Sequence, residues 1–94
     1  MTMASIELEM VDLFGETGEA HHKAFVETDG EDPEWPLWYA DYLHEKLAEV
    51  LEASFTKSEL VYLLVMAEND RRTIAPGSDW TVFFSSFFAD RYAI

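Results

Sequence analysis

"TKSELVYLLVMA", residues 56–67, is the stretch on which the fold turns. Its eight consecutive apolar residues, Leu60 to Ala67, suit a buried strand as well as a buried helix on periodicity alone. Thr56 and Glu59 break the tie. That spacing is a capping box, in which the threonine hydroxyl accepts from the amide three residues on and the glutamate reaches back to the amide of residue 56. The chain also offers no convincing second strand. Ile6, Leu8 and Met10 alternate, but that segment reads better as a helical stripe. A helix is therefore expected near 57–72, closed by "ENDRR" and "APGS". Because it is apolar almost all round, it should be the central element or part of an interface.

Upstream, "EDPEWPLWYADYL" at 31–43 starts another helix. Pro36 lacks an amide donor, which is harmless only in a first turn, and Glu31, Asp32 and Glu34 suit the positive end of a helix. Trp35, Trp38, Tyr39, Tyr42, Leu43, Leu47, Val50 and Leu51 then follow the i, i+3, i+4, i+7 rule, placing the aromatics on a buried side of a helix near 35–53. The first helix, near 4–28, has a thinner stripe: Met3, Ile6, Met10, Leu13, Phe14, Thr17, His21, Ala24 and Thr28. Gly15 and Gly18 lie off it and weaken it. Gly30 is the expected C-cap, with Pro33 in the turn. Downstream, Ser78 or Asp79 caps a last helix near 79–92, with Trp80, Phe83, Phe84, Phe87, Phe88 and Tyr92 on one side and Ser85, Ser86 and Asp90 off it. The expected fold is all-α, a four-helix bundle in a single domain of 94 residues.

Charge narrows the partners. Nineteen acids against six bases leave −13, and residues 1–34 carry ten of the acids with Lys23 as their only base. Nucleic acid and anionic membrane both repel such a surface, whereas a basic protein partner does not. There is no cysteine, so thiol chemistry is excluded. The N-terminus lacks the pattern of a signal peptide, and the longest apolar run is too short to span a bilayer, so a cytoplasmic location is expected.

Few residues suggest chemistry. Glu19–His22 and Asp41–His44 have the acid-x-x-His spacing of di-metal bundles, but His22, Asp41 and His44 point away from their stripes, so no metal site and no cofactor are expected. The loop "ETDGEDPE" is not a calcium loop: aligning Gly30 with the required glycine places Phe25 and Pro36 at ligand positions. No GxSxG motif or phosphate-binding glycine loop occurs, and Ser85 and Ser86 read as polar-face residues. His21 faces inward, as a core histidine bonded to a tyrosine hydroxyl or as a ligand-binding group beside Trp35, Trp38 and Tyr39. Lys46, Arg71 and Arg91 lie in line with their stripes. Lys46 and Arg91 could share one end as a pocket for a small anion, or simply snorkel to nearby carboxylates.

The segment "DPEWPLWYADYL", residues 32–43, resembles one found in small uncharacterised bacterial proteins. The resemblance covers a dozen residues, implies a bacterial cytoplasmic origin and carries no activity. The reading that follows is a non-enzymatic, acidic helical module that self-associates or binds a protein partner. Its alternative is a small-molecule binder or minor enzyme using His21 and the aromatics of the second helix. The expected assembly is a homodimer packed through the third and fourth helices, with Tyr62, Phe84 and Phe88 in contact.

Overall fold

In the computed structural model, which describes residues 5–92, four helices follow one another: α1 (Ser5–Ala24), α2 (Trp35–Leu51), α3 (Lys57–Ile74) and α4 (Trp80–Arg91). The chain is an all-α four-helix bundle. α3 begins as its cap dictates: the Glu59 amide donates to Thr56 Oγ1 at 3.0 Å, and the Thr56 amide donates to Glu59 Oε1 at 2.9 Å. Thr56→Ala removes half of this exchange and should cost about 1 kcal/mol, read as a lower urea midpoint. Asp79 caps α4, its carboxylate accepting from the Thr81 amide at 2.9 Å.

α1 is shorter than expected. It ends at Ala24, and a single 3-10 turn, Val26–Thr28, replaces its last predicted turn. The break sits at Phe25, whose backbone leaves the helical region, and the chain reverses through left-handed Asp29 and Gly30. Ala24 and Thr28 are consequently exposed rather than inward, and Met3 and Ala4 lie outside the described residues. α2 stops at Leu51, where Glu52 adopts a left-handed conformation and its amide bonds back to Ala48 and Glu49.

The helices form a ring. α1 packs on α2 and α4, and α3 packs on the same two from the opposite corner. α3 is thus one corner of the ring rather than its centre, with Leu60, Leu63, Leu64 and Ala67 buried and Tyr62, Val65 and Asn69 exposed. The core is one cluster: Met10 and Phe14 from α1, Leu43 and Leu47 from α2, Leu60 and Leu64 from α3, Phe84 and Phe88 from α4.

Three expectations about side chains need correcting. Phe84 and Phe88 are 2% and 0% exposed. They lie 5.7 and 5.8 Å from the Phe14 ring, so they fill this chain's own interior and are closed to a second copy. Ser85 is buried, because the inward arc of α4 runs through Phe84, Ser85, Phe88 and Ala89; its hydroxyl is satisfied by donating to Thr81 O at 2.7 Å. On α2 the deep residues are Ala40, Leu43, Leu47 and Leu51, while Trp35, Trp38, Tyr39 and Tyr42 sit half-buried at the margin.

Gly18, read as a weak point, is where α1 meets Trp80 of α4. A Cβ there would stand 2.9 Å from Trp80 Cζ2. The bare backbone lets the indole lie against the helix, as a small residue does wherever two elements approach this closely.

Candidate functional site

The half-buried aromatics of α2 meet two different environments. On one side stands His21, at the last turn of α1, only 6% exposed. Its ring stacks on Phe25 at 4.7 Å and takes Trp38 and Tyr39 edge-on at 5.1 and 5.3 Å. The sequence suggested a tyrosine hydroxyl as its partner. The partner is instead the carboxylate of Asp32, with Nε2 and Oδ2 3.1 Å apart. Asp32 comes from the reversing turn, eleven residues further on, and its other oxygen accepts the Glu34 amide at 3.0 Å. Gly30 makes this turn fit: its φ is +85°, and a Cβ there would meet the His22 ring at 2.7 Å. The His21–Asp32 pair therefore ties the α1–α2 connection to both helices.

On the other side of Tyr39 lies an open cleft of about 820 Å³, between the N-terminal ends of α2 and α4 and the C-terminal half of α3. Trp35, Tyr39 and Trp80 wall it with their rings, and Glu68, Arg71 and Asp79 supply its charge. Trp35 meets Tyr39 at 5.1 Å and 79°, and Tyr39 meets Trp80 at 6.0 Å and 56°. Rings at such angles form the corner of a box. Arg71 is committed: Nε and Nη2 donate to the two Glu68 oxygens at 2.8 and 3.0 Å, and Nη1 donates to Pro76 O at 3.3 Å. Arg72 adds a third bond to Glu68, at 3.2 Å. Burial, then the nearby Glu68 charge, pushes the Tyr39 hydroxyl above the usual phenol range.

The hydrogen bond from Arg71 holds the Glu68 carboxyl below its ordinary value of 4.5. A carboxylate whose folded pKa is depressed stabilises the fold above its unfolded value, and loses that contribution as pH falls through the folded one. Stability should therefore decline in the acid range below about pH 4.5. Glu68→Gln should flatten part of that slope in urea titrations at successive pH values.

The structure does not bring the two outer cations together. Lys46 lies over the Tyr42 ring at 4.9 Å, and Arg91 over the Phe87 ring at 5.8 Å. Among the described cavities none is lined by both. Of the two acid-x-x-His pairs, Asp41–His44 is engaged elsewhere. Asp41 accepts from Lys57 at 2.7 Å, and His44 Nε2 donates to Phe55 O at 2.6 Å. Among the described residues, no three metal-ligating side chains gather.

A further surface is apolar and open. On the solvent side of α3, Tyr62 is 61% and Val65 38% exposed, and Met66 is half-buried beside them. Of the three residues expected at a contact, Tyr62 is the exposed one. No helix among the described residues is long and apolar enough to cross a membrane. Comparison with family models, with curated proteins and with solved structures found no match.

Proposed function

We propose that this protein is a non-enzymatic, self-associating helical module whose contact surface is the outward face of α3. The observation that carries the reading is the row Tyr62, Val65 and Met66, apolar side chains on the solvent side of a helix whose opposite face is already buried. Electrostatics favours the same place. Two copies at −13 repel each other, and most of that charge sits in residues 1–34. α3 carries three acids and three bases. A two-fold contact centred on Tyr62 and Val65 brings together an apolar surface on a helix without net charge.

Light scattering at micromolar concentration should give twice 10.8 kDa. Val65→Glu, which sets a charge in the middle of the contact without touching the core, should return the mass to that of one chain. Circular dichroism should meanwhile stay unchanged. A wild-type mass of 10.8 kDa at the highest soluble concentration refutes the reading.

A further inference from the structure

The cleft beside Tyr39 has a chemistry of its own, independent of self-association. Its only lining cation, Arg71, is already paired with Glu68. Asp79 is different. It lines the same cleft, is exposed, and has no cationic partner among the described ion pairs. Thr81 binds it through its hydroxyl at 2.6 Å and its amide at 2.9 Å. These bonds hold its carboxyl below the usual range, so it stays ionised. Asp79 therefore brings to the cleft a carboxylate with no cationic side chain paired to it among the described ion pairs.

Around that charge stand three electron-rich rings. The faces of tryptophan and tyrosine attract cations, and the attraction grows where water is partly excluded. The half-buried Trp35, Tyr39 and Trp80 offer this setting. The net charge of −13 raises the local concentration of any cation and lowers that of any anion. The volume, about 820 Å³, lies within the range of small-ligand sites.

We propose that the cleft walled by Trp35, Tyr39 and Trp80 binds an organic cation, an alkylammonium or alkylguanidinium group, which pairs with the Asp79 carboxylate. The group comes either from a free amine or from a lysine or arginine side chain of a partner.

The three tryptophans make the test direct. The indole N–H resonances of Trp35 and Trp80 report on the cleft, and that of Trp38, beside His21, serves as an internal control. Titration with butylammonium and butylguanidinium should shift the first two saturably and leave Trp38 unmoved. Butanol and butyrate should do neither. Asp79→Asn removes the charge but keeps a competent helix cap, and it should weaken cation binding about tenfold. Trp35→Leu, at the margin of the core, should weaken it to a similar degree. Added salt should weaken it as well.

Equal shifts with butanol, movement of Trp38 in step with the others, a non-saturating response, or indifference to both variants would each overturn the proposal. An arginine tripeptide blocked at both ends separates the sources. Tighter binding than butylguanidinium assigns the group to a partner's side chain, and equal or weaker binding assigns it to a free amine.

Discussion

Phe14→Ala should cost about 3–5 kcal/mol, the usual loss when a large aromatic leaves a close-packed interior. Set against a total stability on the order of 5–10 kcal/mol for a chain this size, that removes a large fraction of the margin. The reason is local. Phe14 is fully buried and meets Trp80, Phe84 and Phe88 at 6.1, 5.7 and 5.8 Å. No backbone movement along α1 fills so large a space. Urea denaturation followed by circular dichroism measures the loss. A loss below about 1 kcal/mol would show that these four rings are not packed as described. Phe88→Glu belongs to the same experiment. With Phe88 in the interior, that charge should unfold the chain rather than dissociate a folded dimer.

His21→Ala should cost about 2–4 kcal/mol, from lost packing against three rings and from the stranded carboxylate of Asp32. Its signature is regional. Hydrogen exchange should accelerate at the amides of residues 25–34, which the His21–Asp32 bond anchors, while α3 and α4 keep their protection. Asp32→Asn retains a hydrogen-bonding side chain and should cost less, about 1 kcal/mol. Unchanged exchange across 25–34 in His21→Ala would mean that the turn is held by other contacts.

The number of helices and their starting points were legible because they rest on local chemistry. Thr56 with Glu59, Pro36 in a first turn and Asp79 before Trp80 each act within four residues. What covers a stripe is not local. Phe84 and Phe88 read as surplus because α1, softened by Thr17 and His21, looked too thin to cover them. One residue, Phe14, meets both rings, and Thr17 is satisfied by donating to Leu13 O at 2.7 Å, so the stripe is less polar than its letters. The α2 aromatics matched a helical period, yet Ala40, which breaks no rule, lies deeper than any of them. Periodicity locates a face, and neighbouring bulk decides how far each residue on it sinks.

The candidate sites were harder still. His21 was found as an inward histidine, but its carboxylate comes from an irregular turn whose path no period describes. The cleft gathers Trp35, Glu68, Asp79 and Trp80 from three helices. Its one sequence signal was the density of aromatics at 35–42, which pointed to α2 and was silent about α3 and α4.

A chain emerging from the ribosome exposes Met10 and Phe14 long before Trp80, Phe84 and Phe88 have been made. α2 and α3 are joined by the short connection at 52–56 and pack on each other, a contact that is local in the chain. α1 must wait. Its full burial depends on the last helix, across nearly the whole length of the chain, and only then does the ring close. Loss of α4 therefore leaves α1 open on the side that faces it, a chain with secondary structure but an open core, which is the kind of species that chaperones and proteases select.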